Sequence, residues 1–181
     1  MMTLDQITED TGIQVVETSL DLLYEQIQYV KLGEIIYTSK PERYNLLGIG
    51  TCLGIFMYDL NRGKYMLAHC MLPEMLANEK NPKTISVGKY TDIAIRTMMN
   101  RLLSEGSKKA DIKVKMAGGA QIFNDLMNIG VRNIETAHRI LNEVGIKLIA
   151  EDVGGKTGRS ITSFCSNGTL LLRKNGEKYS I

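Results

Sequence analysis

The chain has 181 residues, 44% hydrophobic and 23% charged, with 22 Lys and Arg against 20 Asp and Glu for a formal charge of +2. That is one domain's length, enough to bury a core unaided, and it excludes disordered and polyelectrolyte readings and weakens nucleic-acid binding. Three cysteines argue against a disulfide framework, and the longest apolar run, around Leu46–Tyr58, is broken by Gly48, Gly50, Thr51 and Gly54, short of the ~20 residues of a membrane span.

The N-terminus, MMTLDQITEDTG, is acidic where a signal peptide is basic and then apolar, so the reading is cytoplasmic, with no membrane insertion. Leu20, Leu23, Ile27 and Val30 recur at helical spacing behind Thr18 and Ser19, which predicts an amphipathic helix over 19–30. Ile35–Tyr37 is a short β-prone run. Leu46–Tyr58 and Lys64–Leu72 flank the turn Asp59–Gly63 and read as a hairpin. Ala77–Lys89 is polar, carries Pro82 and reads as a loop.

Thr91 and Asp92 open a helix whose buried stripe is Ile95, Met98 or Met99, and Leu102, with Gly106 as its stop. Ile112–Met116 alternates as a strand. After Gly118-Gly119 comes a short helical piece around Gln121–Met127. Asn133 is then expected to cap a helix burying Ile134, Ala137, Leu141 and Val144. Ile146–Ala150 is an apolar strand. Two Asn-Gly pairs, Asn167-Gly168 and Asn175-Gly176, separate Ser160–Cys165, Thr169–Arg173 and Lys178–Ile181, which predicts a three-stranded meander. The fold class is therefore α/β: a layered sandwich of mixed and antiparallel sheets with flanking helices, not a doubly wound parallel sheet.

The chemistry concentrates in LGIGTC and AHCMLP. Cys52 and His69, one of two histidines, fall on neighbouring elements across the predicted hairpin. An imidazole beside a thiol of pKa ~8.5 takes its proton, makes a nucleophile and returns the proton to a leaving group. Gly48 and Gly50 would let a carbonyl substrate approach backbone N–H groups that stabilise an oxyanion. From the residues alone, catalysis and plain core packing both remain open for this pair.

Other signals are weaker. Ala150–Thr157 matches a relaxed phosphate-loop pattern, but no helix follows it and Glu151 and Asp152 would repel phosphate. Cys52, His69, Cys70 and Cys165 contain no C-x₂-C pair, and His69 and Cys70 must point to opposite faces of a strand, which disfavours a metal site. Cys70 then reads as core, His138 as a surface or boundary residue, and the ten methionines as packing.

Taken in order, LGIGTC, AHCMLP, GKYTDIAI, KMAGGAQIF, MNIGVRNIE and IKLIAEDVGGKTGRSI resemble the successive motifs of the CheD family of chemoreceptor glutamine deamidases. They run from about Leu32 to Ile181, leaving residues 1–31 as an N-terminal extension with its helix and 32–181 as a CheD-like deamidase domain. The resemblance implies a cytoplasmic amidohydrolase without cofactor or metal. It would convert selected glutamines of methyl-accepting chemotaxis receptors to glutamate and ammonia, and some members also cleave receptor glutamyl methyl esters. It makes Cys52 the nucleophile, His69 the base and AEDVGGKTGRS a structural loop near the site. It also implies a partner, the phosphatase CheC, and a shallow groove for receptor helices.

One position departs from the family. The family's threonine six residues before the cysteine is here Leu46, which cannot hydrogen-bond an imidazole. Asn45, Thr51 or a backbone carbonyl are the replacements to look for. The same departure carries an alternative: a weakly catalytic or non-catalytic regulator that binds receptors and CheC.

Overall fold

The computed structural model describes residues 28–75, 86–122 and 127–181. The strands are β1 Gln28–Tyr29, β2 Ile35–Thr38, β3 Arg43–Ile49, β4 Leu53–Asp59, β5 Lys64–Cys70, β6 Lys113–Gly118, β7 Lys147–Val153, β8 Arg159–Phe164, β9 Thr169–Lys174 and β10 Glu177–Ser180. The helices are α1, Thr91–Ser104, and α2, Ile129–Val144. Two five-stranded sheets stack face to face, one ordered β1-β3-β8-β9-β10 and the other β2-β5-β4-β6-β7. Both helices lie on the outer side of the second sheet, giving an α/β sandwich of three layers.

Residue alternation explains the layers. The central strand β4 is buried along its whole length, as a strand covered on both faces must be. Its Leu53, Ile55 and Met57 join the helix-side core with Ala94, Met98 and Leu141, while Phe56 and Tyr58 join the inter-sheet core with Leu46, Ile161 and Leu172. Gly54 sits between them because a Cβ there would fall 2.5 Å from Ile161 and 3.1 Å from Leu46. Strand β5 repeats the pattern, with Met66, Ala68 and Cys70 toward the helices and Tyr65 and Leu67 toward the other sheet. His69 therefore emerges on the inter-sheet side, at the end of the sandwich.

Several elements match the expectation closely. Helix α1 buries Ile95, Met98 and Leu102, and the C-terminal meander pairs β8, β9 and β10 antiparallel. Asn175 and Gly176 adopt the left-handed backbone that a tight hairpin requires.

Other readings are corrected. Leu46–Tyr58 is not one strand: β3 pairs with β8 in one sheet, β4 pairs with β5 and β6 in the other, and Gly50-Thr51-Cys52 carries the chain between them. A register shift between Leu46 and Ile49 lets both point inward although three residues apart. The strand expected over Lys64–Leu72 stops at Cys70, with Leu72 only bridging to Tyr90. Gln28–Tyr29 is a strand parallel to β3, so the expected N-terminal helix does not extend to Val30; its residues 19–27 lie outside the described residues. Most of the expected 77–89 loop and of the 121–127 helical piece also lie outside them, while Val87–Lys89 forms a 3₁₀ turn.

Asn133 does not cap α2. The helix starts at Ile129, and Asn133 is fully buried within it. Tertiary contact draws the first turn upstream: Gly130 packs so close to Gly119 that a Cβ there would lie 2.6 Å from the Gly119 carbonyl oxygen.

Candidate active site

Cys52 and His69 line one open cleft of about 450 Å³, with Val30, Asn45, Leu47 and Gly48 on its walls. Cys52 stands on the corner between the sheets, and the strand end Gly118–Ala120 braces that corner. The Gly119 N–H donates to the Cys52 carbonyl at 2.7 Å, and the Ala120 N–H to the Gly50 carbonyl at 2.8 Å. Gly118, at φ +131°, is required there because a Cβ would lie 2.3 Å from the Cys52 carbonyl oxygen.

Burial pushes the Cys52 thiol above its ordinary pKa, offset only by its own backbone N–H. Burial likewise pushes His69 below its ordinary value, offset by the Val30 carbonyl. Both directions favour the uncharged forms, thiol and neutral imidazole. The His69 ring Nδ1 lies 3.4 Å from the Val30 carbonyl oxygen. A carbonyl only accepts, so in this contact Nδ1 is the donor, and in the neutral ring Nε2 is the nitrogen that carries the lone pair. Val30 is itself held by its N–H, which donates 2.9 Å to the Asn45 carbonyl.

The residues weighed for the third position fall in different places. Leu46 turns into the inter-sheet core, only 2% exposed. Asn45 lines the cleft, but its Oδ1 accepts the Thr162 hydroxyl at 2.6 Å. The Thr51 backbone carbonyl accepts from Asn133 at 2.9 Å. Among the described residues, the group hydrogen-bonded to the imidazole is the Val30 backbone carbonyl. No side-chain pattern in the sequence announces it, because it depends on β1 pairing with β3.

Gly50 does not open the cleft. The space a Cβ would need there is filled by Ile122, 2.5 Å away, whereas at Gly48 nothing lies within 4 Å. Cys70 and Cys165 are buried in separate cores, and desolvation pushes each thiol up to about 12. The four residues weighed as metal ligands therefore do not converge. His138 is on the surface, with its ring Nε2 2.7 Å from a Glu151 carboxylate oxygen.

The 150–159 stretch ends β7, turns through two left-handed glycines and enters β8 rather than a helix. It supports the site from behind: the Gln121 N–H donates to the Gly155 carbonyl and the Gly154 N–H to the Gly118 carbonyl, both at 2.8 Å. Arg159, its side chain fully buried, ties the turn to Asp152 and to the Gly154 and Thr157 carbonyls. Asp152 also accepts from Lys174 and Tyr179. Sequence reasoning missed this network, although an arginine beside a Gly-Gly turn and an upstream aspartate is a usable signal.

Fold and cleft together define an α/β sandwich that presents a thiol and an imidazole to one shallow opening. Residues 71–174 match the family described as CheD chemotactic sensory transduction. A protein of Methanococcus maripaludis named probable chemoreceptor glutamine deamidase CheD is 36% identical over 156 residues, covering 84% of this chain and 97% of that one. The chemoreceptor glutamine deamidase CheD of Thermotoga maritima is 38% identical over 148 residues, covering 81% and 91%. That of Halalkalibacterium halodurans is 36% identical over 156 residues, covering 82% and 95%. The chain belongs to the CheD family. Among solved structures, Bacillus licheniformis hypothetical protein YfiH aligns with TM-score 0.45 and 16% identity, over 73% of this chain and 61% of that one.

Proposed function

We propose that this chain is a chemoreceptor glutamine deamidase in which Cys52 is the nucleophile and His69 the general base and acid. The observation that carries the reading is the shared cleft, in which the Val30 carbonyl fixes the imidazole with Nε2 free. The Cys52 sulfur adds to the glutamine side-chain carbonyl carbon while its proton passes to His69 Nε2. The tetrahedral oxyanion collapses, the C–N bond breaks, and His69 returns the proton to the departing ammonia. Water, deprotonated by the same imidazole, then hydrolyses the thioester, giving glutamate and restoring the thiol.

The cleft is open, and its rim carries Tyr29, Leu32 and Leu47, each more than half exposed at 53%, 54% and 56%. An apolar rim around a shallow polar centre suits the side of a receptor helix better than a small free amide. Among the described residues no helix is long and apolar enough to cross a membrane. The reading places the enzyme in the cytoplasm, where it meets receptors, and makes CheC its regulatory partner.

The test is ammonia release and glutamine-to-glutamate conversion on receptor cytoplasmic fragments, with the intact protein and with Cys52→Ala. Conversion abolished by the substitution supports the deamidase. Receptor or CheC binding without conversion replaces it with the regulatory alternative that Leu46 raised. The same fragments carrying glutamyl methyl esters test whether the acyl step extends to esters.

A further inference from the structure

One fully buried side chain bonds the backbone just before Cys52 and the backbone two residues beyond His69. The Asn133 carboxamide N–H groups donate to the Thr51 carbonyl at 2.9 Å and the Met71 carbonyl at 3.1 Å, and its Oδ1 accepts the Thr91 hydroxyl at 3.1 Å. Asn133 and Thr91 are both 0% exposed. Carbonyls only accept, so these partners dictate which end of the amide faces them. Thr51 immediately precedes Cys52, and Met71 lies two residues beyond His69.

We propose that Asn133 is a positioning residue that sets the separation of the Cys52 thiol and the His69 imidazole; the inference rests on reading those two as nucleophile and base. His69 itself is held in β5, paired with Gly54 and bonded through its backbone to Gly33 and Glu34, whereas the corner that carries Cys52 and the chain just past His69 lie outside the strands. Residues 50–52 form the corner between β3 and β4, and Met71 lies past the end of β5. The carbonyls of Gly50 and Cys52 are taken by backbone N–H groups of Ala120 and Gly119, leaving the intervening Thr51 carbonyl to Asn133. The corner is thus clamped from two sides, and the second clamp also holds the chain leaving His69. Helix α2 supplies the rigid mount, and Thr91 at the start of α1 fixes the carboxamide's rotation. A displacement of about 1 Å between reacting groups costs on the order of a hundredfold in rate, so this bond pair acts on turnover.

The test compares Asn133→Ala, His69→Ala and the double variant. Deamidation kcat and KM are measured on receptor fragments, and Cys52 alkylation by iodoacetamide is followed across pH. Asn133→Ala is expected to lower kcat about a hundredfold with KM changed by less than about twofold. It is also expected to slow alkylation when His69 is present and to add nothing once His69 is alanine, because it acts through the pair. A folded Asn133→Ala protein with wild-type kcat, or an equal slowing with and without His69, overturns the proposal. If Asn133→Ala does not fold, Thr91→Val removes the carboxamide's anchor while leaving both N–H bonds. A roughly tenfold loss in kcat at constant KM then supports the role, and an unchanged kcat overturns it. Deamidation surviving in Cys52→Ala would instead remove the reading of the pair itself.

Discussion

Replacing Gly118 by alanine tests how the corner that carries Cys52 is held. Gly118 sits at φ +131°, and an added Cβ would lie 2.3 Å from the Cys52 carbonyl oxygen, 2.7 Å from Ile49 Cγ2 and 3.1 Å from Leu53 Cα. The backbone conformation alone costs about 1–3 kcal/mol in a residue with a side chain. Crowding against fixed backbone adds about 1–3 kcal/mol. Pushing the corner away weakens the 2.7 Å bond from the Gly119 N–H to the Cys52 carbonyl, a further ~1 kcal/mol. The sum is about 5 kcal/mol, a fall in Tm of about 15 °C for a chain of this size. Gly155→Ala is the internal control: it has φ +72° and open space, so it bears only the conformational part. Thermal unfolding by circular dichroism reads both variants, and kcat on receptor fragments reads the displacement of Cys52. A Gly118→Ala protein as stable as the Gly155→Ala control, with unaltered kcat, would refute the close-approach argument. The sign is informative too, since alanine at a compatible glycine site stabilises by about 0.4–1 kcal/mol.

Leu46→Thr, which restores the family residue, is expected to lower stability by about 2 kcal/mol in a denaturant titration, because a hydroxyl replaces packed carbon in the inter-sheet core. It is expected to leave kcat unchanged, since the imidazole is oriented by Val30; a rise in kcat would contradict that assignment. The pH dependence of kcat/KM follows from His69, whose pKa lies below the ordinary 6.5. The base form therefore persists into mildly acid solution, and the acid limb of the profile falls below pH 6.5; a limb at neutral pH would count against a buried neutral imidazole. The same shift makes stability rise with pH between the folded pKa and 6.5, where the unfolded chain binds more protons, and fall as pH drops through that window. Limited iodoacetamide treatment is expected to label Cys52 while sparing Cys70 and Cys165, whose thiols burial pushes up to about 12; peptide mapping identifies the labelled site.

Much of this was legible wherever a pattern is local. The α1 stripe, the Asn-Gly hairpin at Asn175 and the alternation that separates His69 from Cys70 depend on residues a few positions apart. What was not legible depends on contacts distant in sequence. The apolar run from Leu46 to Tyr58 looks continuous because both of its halves are buried, yet its glycines carry the chain from one sheet to the other. Asn133 looks like a cap because buried asparagine is rare, and only the Gly119–Gly130 approach extends α2 past it. Cys52 and His69 could be paired from spacing and resemblance together. Two of their supports could not: the Val30 carbonyl has no side-chain signature and Gly118 acts through backbone geometry, whereas Arg159 with Asp152 upstream left a usable signal.

The central claim is that Cys52 attacks the glutamine side chain and carries its acyl group. Rapid acid quench of the intact protein during turnover on a receptor fragment, followed by mass spectrometry of its peptides, tests this most directly. A receptor-derived thioester on Cys52 that disappears as glutamate forms is expected, with no conversion in Cys52→Ala. Glutamate produced by the Cys52→Ala protein at the wild-type rate would contradict the claim.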